Sequence, residues 1–149
     1  MSAWKGRAVI TGPPQPKGSQ KPVTRPGVPY TVLVSDNQAG VTWAKALSRL
    51  MQETAPESLI TGPVAMRVTM YLPRPTYHYR TGRFSHVLRE DAPTLAPAKP
   101  DGEKVERNIF DSGTGVWYVD DKQIVAGVWR KMYDDGNGAR TVIECEEIR

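Results

Sequence analysis

Acidic side chains occur in two short groups that carry the residue types needed for phosphodiester hydrolysis. The first group is Asp101 and Glu103, and the second is Asp120 and Asp121. Hydrolysis needs an activated water and a cation that offsets the developing negative charge, and Mg²⁺ or Mn²⁺ supplies both when carboxylate oxygens hold it. Two acids about 4 Å apart repel by roughly 1 kcal/mol in water and about 4 kcal/mol near a protein surface, so grouped acids favour a bound cation.

The same acids also have a purely structural interpretation. Asp101 follows a proline where a helix is expected to begin, so it can cap that helix, and Glu103 falls in the first turn, where the helix dipole favours negative charge. Asp120 and Asp121 form a pair of the kind common in turns before a strand. Spacing alone leaves both interpretations open. In the metal-site interpretation, the two groups adjoin and Arg107, one helical turn after Glu103, meets the scissile phosphate.

The pattern of apolar residues predicts the elements that must position these acids. Val64–Leu72 alternates strictly, as a strand does, and Trp43, Leu47, Leu50 and Met51 form a helical stripe that serves as core or as a dimer contact. The predicted elements are a strand at 8–10, a helix from Asp36 or Asn37 to about Glu53, a strand at 64–72, a helix from Pro100-Asp101 to Gly113, a strand at 124–133, a hairpin turn at 134–138 and a return strand at 141–148. This β-α-β-(long loop)-α-β-β order predicts one α+β domain over 1–149 with a small mixed or antiparallel sheet.

Basic residues are segregated along the chain, which has 149 residues, a net charge of +4 and a pI near 9.3. No acid precedes Asp36, and none lies between Glu57 and Glu90. Such segregation favours a polyanionic partner, although chance would produce it about as often. Two basic loops, at about 13–30 and 73–98, are expected to be mobile and to contact DNA. The expected DNA-contacting residues are Lys17, Lys21, Arg25, Arg74, Arg80, Arg83, Lys104 and Arg107.

The remaining composition excludes several protein classes. No apolar stretch is long enough to span a membrane, and no apolar segment typical of a signal peptide follows the first charges. The single cysteine, Cys145, cannot form an intramolecular disulfide and is expected to pack. We therefore expect a cytoplasmic protein without a membrane partner.

Three aromatic or histidine features are ambiguous. Tyr77 and Tyr79 either stack on unpaired bases or anchor their own loop. His78 and His86 are interpreted as exposed polar loop residues rather than as metal ligands. Phe110 lies on an apolar stripe and is assigned to the core rather than to a wedge inserted into DNA.

Both acidic groups belong to longer motifs. The motifs are Lys99-Pro100-Asp101-x-Glu103-Lys104-Val105-x-Arg107, then Phe110-Asp111, then Trp117-Tyr118-x-Asp120-Asp121-x-Gln123-Ile124-Val125, preceded by Ile10-Thr-Gly-Pro-Pro-x-Pro-Lys17-Gly18. Together they resemble the RusA-like Holliday-junction endonucleases, from about residue 8 to the C-terminus.

This resemblance implies a homodimer, commonly encoded by phages or prophages, that grips a four-way DNA junction and nicks two strands. It implies one Mg²⁺-dependent site per subunit, with Asp101, Glu103 and Asp121 as metal ligands, Asp120 as a supporting acid and Arg107 as the essential basic residue. Three features depart from the family pattern: Glu103 replaces an aspartate, Arg107 replaces the commoner lysine, and the 73–98 loop is longer.

Two other function classes remain. A non-catalytic protein that binds branched or single-stranded DNA would keep the basic loops and tolerate loss of the acids. A metal-dependent phosphohydrolase of small molecules would keep the acids but has no use for the basic loops.

Overall fold

A four-stranded mixed sheet with two helices on one face forms the centre of the computed structural model, which describes residues 3–149. The elements are β1 (Lys5–Thr11), β2 (Gln20–Val23), β3 (Val32–Ser35), α1 (Gln38–Gln52), β4 (Val64–Leu72), α2 (Gly102–Gly113), β5 (Ile124–Tyr133) and β6 (Arg140–Glu147), with 3₁₀ turns at Thr76–His78, Gly82–Phe84 and Asp121–Gln123. The predicted α+β class is confirmed. No helix within residues 3–149 has the length and apolarity needed to cross a membrane.

The sheet has the strand order β1-β6-β4-β5. β6 runs antiparallel to both β1 and β4, whereas β5 lies at the edge, parallel to β4. Alternate residues of β4, among them Met66, Val68 and Met70, point into the core. The helices cover that face of the sheet with apolar stripes, so the core is a single layer between helices and sheet.

α1 forms where its stripe predicts. The side chain of Asn37 caps it by accepting a hydrogen bond from the backbone N–H of Gly40 at 3.1 Å. Trp43, Leu47 and Met51 are buried in the core, so the core interpretation of this stripe is confirmed.

The predicted hairpin between the last two strands is wrong. Residues 134–138 do form a turn, in which Asp134 Oδ1 accepts from the N–H groups of Gly136 and Gly138. β5 and β6, however, pair with opposite sides of β4 and not with each other. A turn sequence encodes only a reversal of direction, whereas the choice of partner depends on which strand is central, and β4 is the strand with the most regular buried face.

Part of the expected irregular loop at 13–30 is also ordered. β2 and β3 form a separate antiparallel ribbon, with Gln20 opposite Ser35 and Val23 opposite Val32. Its residues are half-buried or exposed, so neither strand shows the alternation that would have predicted it.

The 73–98 segment is organised around Arg74. Its guanidinium donates to the carbonyl oxygens of Asp134 at 2.8 Å and Pro93 at 2.7 Å, and one nitrogen lies 3.2 Å from His78 Nδ1. His78 is only 3% exposed, so its assignment as an exposed residue is wrong, while His86 is exposed as expected. The histidine is buried because Arg74 supplies the polar partner that burial requires.

Candidate active site

β5 fixes the segment that carries the first acids. Lys131 Nζ donates to the carbonyl oxygens of Ala98 at 2.7 Å and Pro100 at 3.0 Å. The ring of Trp129, two residues earlier on the same face of β5, packs against Gly102, the first residue of α2. The start of α2 is therefore anchored by both hydrogen bonds and an aromatic ring.

Asp101 and Glu103 occupy the N-terminus of α2. The Asp101 side chain accepts a hydrogen bond from the Glu103 N–H at 3.0 Å, so the capping role is real. Glu103 Oε1 pairs with Arg107 Nη2 at 2.8 Å, and their side chains are 62% and 65% exposed. An ion pair this exposed contributes little stability, so both groups remain accessible to a ligand.

Asp120 and Asp121 lie on the turn that precedes β5. Asp120 Oδ1 accepts from the Lys122 N–H at 2.9 Å, and the Asp120 N–H donates to Gln123 Oε1 at 2.8 Å. Gln123 Nε2 donates to the carbonyl oxygens of Ile60 at 2.7 Å and Gly62 at 2.9 Å, which ties the turn to the segment before β4. The Asp-Asp pair is thus held rigidly at one end of the sheet.

The two aspartates differ in acidity. Partial desolvation raises the pKa of Asp121, and the hydrogen bond with Asp120 and the negative charges of Asp111 and Asp120 raise it further. The pKa of Asp120 is lowered, chiefly by the hydrogen bond from the Lys122 N–H. Asp111 and Asp120 therefore add negative charge near Asp121, which Lys17 partly offsets, and a bound cation would relieve their repulsion.

Asp111 and Lys17 are site residues whose contact the sequence did not predict. Their side chains form an ion pair, and the Lys17 backbone N–H donates to the Lys104 carbonyl at 3.0 Å. The basic N-terminal segment consequently lies along α2. The sequence does indicate that Asp111 belongs to the site. Glu103, Arg107 and Asp111 follow one another at four-residue intervals and so lie on one face of the helix.

The structure does not bring the three predicted metal ligands together. Asp101 and Glu103 are adjacent at the start of α2, whereas Asp121 has Asp120 and Asp111 as its acidic neighbours. Across residues 3–149, no three His, Cys, Asp or Glu side chains form a group that could hold one ion. The donors suit a hard divalent cation in chemical type, since all are carboxylates, but they would have to move to share one.

A family model described as endodeoxyribonuclease RusA matches residues 11–146, nearly the whole chain and both acidic groups. The chain belongs to the RusA endodeoxyribonuclease family. No curated protein sequence matches it.

As a RusA-family endodeoxyribonuclease, this chain needs basic surface near its acids. Lys17, Lys21 and Lys104 are exposed, the first beside Asp111, the second on β2 and the third on α2. Arg25, Arg80 and Arg83 are exposed in loops, whereas Arg74 is half-buried and uses its donors inside its own loop. The predicted DNA contacts other than Arg74 are therefore exposed, and their role in DNA binding stays a prediction.

Proposed function

We propose that this RusA-family endodeoxyribonuclease resolves Holliday junctions and other branched DNA by Mg²⁺-dependent phosphodiester hydrolysis, in recombination and repair. The observation that carries the proposal is the row of exposed charges along α2, in which Glu103, Arg107 and Asp111 share one face and Asp121 lies beside Asp111. Charged residues are common on the solvent face of a helix, but this row adjoins the Asp120–Asp121 turn and lies within the residues that the RusA family model matches. It suits a surface that binds both a cation and a phosphate.

Asp101, Glu103 and Asp121 are the proposed Mg²⁺ ligands, with Mn²⁺ as a substitute. Binding would require Asp121 to approach Asp101 and Glu103, and the ion would then supply an activated water and offset the charge that develops on the phosphate. The protein's own contribution is to release Glu103 from Arg107, which costs little because both side chains are exposed. The planar guanidinium of Arg107 is then available to hold the scissile phosphate through paired hydrogen bonds. Asp120 supports the site by fixing the turn that carries Asp121.

The edge strand β5 is the surface through which we propose that two copies of the chain pair as a homodimer. Val125 and Val128 are 63% and 57% exposed on this edge strand. Residues 94–96 cover only its C-terminal part, through hydrogen bonds from Ala96 N to Lys131 O and from Tyr133 N to Thr94 O. An apolar, partly uncovered edge strand pairs readily with another chain, and a second copy of this chain is the occupant we propose. Two copies would give the two sites that paired nicking requires.

The test is nicking of a synthetic four-way junction and its matched linear duplex, in Mg²⁺ and in EDTA. We expect paired nicks in the junction, absent in EDTA and abolished by Asp121→Asn. Glu53→Gln, which neutralises an exposed acid at the end of α1, is the matched control and should cut normally.

The opposite outcome would identify the alternative function. Tight junction binding without cleavage, unchanged by Asp121→Asn, would make this chain a branched-DNA or single-stranded-DNA binding protein. Its acids would then serve only as helix caps and turn residues.

A further inference from the structure

A groove of about 820 Å³ lies between the 73–98 segment and the second half of β5. Three aromatic residues line it: Tyr77, Trp129 and Tyr133. Its charged lining residues are three cations, Arg89, Arg130 and Lys131, and one acid, Asp91. Aromatic rings set among an excess of positive charge are the surface that binds an unpaired nucleotide, because the rings stack on the base and the cations attract the phosphates.

The aromatic wall of this groove is preorganised. The buried His78 ring lies edge-on between Tyr77, at a centroid distance of 4.9 Å, and Tyr133, at 4.6 Å. Arg74 holds His78 from the other side, and Arg89 Nε donates to the carbonyl oxygens of Tyr77 at 3.2 Å and Tyr79 at 3.0 Å. The loop is therefore anchored by the buried His78 and by the hydrogen bonds of Arg74 and Arg89, so the Tyr77 ring is not needed to hold it.

Tyr77 is nevertheless 73% exposed. A large ring that is fixed in place but uncovered adds nothing to the core and costs little further entropy when a ligand stacks on it. Such a ring is better suited to binding than to packing.

The groove begins next to the candidate active site. Trp129 lines it and also packs against Gly102, the neighbour of Asp101. Arg130 is exposed, and its side chain makes no hydrogen bond or ion pair within residues 3–149. A strand whose phosphate lies at the acids would therefore pass Trp129 to enter the groove, which Arg130 also lines.

We propose that this groove binds an unpaired nucleobase of a DNA strand, stacked on Tyr77, with the adjoining backbone attracted by Arg130. The link between this strand and a branched substrate rests on the proposed function. Binding of a base in the groove does not depend on that function. An apolar peptide segment is the competing occupant, and the three cations against one acid disfavour it.

The test compares the affinity of a short thymidine strand with that of an abasic strand carrying the same number of phosphates, by fluorescence anisotropy without metal. We expect the wild-type protein to bind the base-bearing strand about ten-fold more tightly, a magnitude typical of one stacked base. Tyr77→Ala should abolish this preference, and Tyr77→Phe, which keeps the ring face, should retain it. Phe84→Ala is the matched control, because it removes an exposed ring of the same segment that does not line the groove.

Equal wild-type affinity for the two strands would overturn the proposal, as would an unchanged preference in Tyr77→Ala. Should Tyr77→Ala fail to fold, Tyr77→Leu keeps the apolar bulk without a ring and gives the same comparison. Loss of junction nicking with the base preference intact would overturn the proposed function alone. Normal nicking without any base preference would overturn only the groove assignment.

Discussion

The indole ring of Trp129 lies so close to Gly102 that a Cβ atom on Gly102 would come within 2.4 Å of the ring. Since Gly102 separates Asp101 from Glu103, the edge strand β5 determines where both acids sit. Lys131 adds to this contact by donating to the carbonyls of Ala98 and Pro100. Glycine at this position is therefore required by the close approach of an aromatic ring, and not by backbone conformation.

We expect Gly102→Ala to destabilise the protein by about 1 kcal/mol, the low end of the cost of an extra methyl group in a packed contact, because the Trp129 ring is 39% exposed and can move aside. Helix propensity alone would predict a change of the opposite sign, smaller than the roughly 1 kcal/mol of a helix interior because Gly102 is the first residue of α2, so the sign of the change is diagnostic. Nicking should fall as well, because Trp129 must shift or α2 must start elsewhere. Urea denaturation and the junction assay measure the two effects.

Gly62→Ala is the control for this substitution. A Cβ at Gly62 would meet no atom within 4 Å, and its backbone does not require glycine. A Gly62→Ala protein as unstable as Gly102→Ala, or a fully stable Gly102→Ala protein, would contradict the proposed contact.

The sequence predicted those features that depend on local pattern. β4 follows from strict alternation, α1 from its stripe and the Asn37 cap, and both acidic groups from residue type and spacing. The parallel pairing of β5 with β4 was not predictable, because it joins segments distant in the chain. The β2–β3 ribbon was not predictable because its half-buried and exposed residues do not alternate.

The same limit applies within the site. The cap at Asp101 and the spacing of Arg107 from Glu103 are local and were predicted. The ion pair of Lys17 with Asp111 joins residues far apart in sequence, and the position of Trp129 against Gly102 depends on how β5 crosses α2. Neither leaves a periodic signal in the sequence.

Lys17→Ala should weaken DNA binding with little change in stability. Its ion pair with Asp111 is exposed, with side chains 46% and 45% accessible, so its loss should cost less than about 1 kcal/mol. If Lys17 neutralises one phosphate, the slope of log K against log salt concentration should fall by about 1. The matched control is Arg149→Ala, which removes the ion pair of an exposed arginine with the half-buried Glu147 and should leave the slope unchanged. If the salt-dependence slope of Lys17→Ala equalled that of the wild type, Lys17 would have only a structural role.

Asp121→Asn should abolish nicking without destabilising the protein at neutral pH. Because the pKa of Asp121 is raised in the folded state, folding favours its protonated form. The stability that this group contributes is present below its ordinary pKa and is lost as the pH rises through the folded pKa. The uncharged asparagine should remove that dependence, so the variant should unfold at an equal or higher urea concentration at pH 7. A variant that is both inactive and much less stable would instead make Asp121 a structural residue.

Acid should weaken the turn between β5 and β6 through Asp135. Its carboxylate accepts from Arg140 Nη1 at 3.0 Å and Nη2 at 3.2 Å, and this pairing lowers the pKa of Asp135 to about 2. A lowered pKa contributes stability that is present above the ordinary value of 3.8 and is lost as the pH falls towards 2. In urea titrations between pH 5 and pH 2, Asp135→Asn should therefore lose less stability than the wild type. The control is Asp36→Asn, at an exposed aspartate, whose stability should vary with pH as that of the wild type does. If the stabilities of the wild type and Asp135→Asn changed in parallel with pH, the Asp135–Arg140 ion pair would not stabilise the turn.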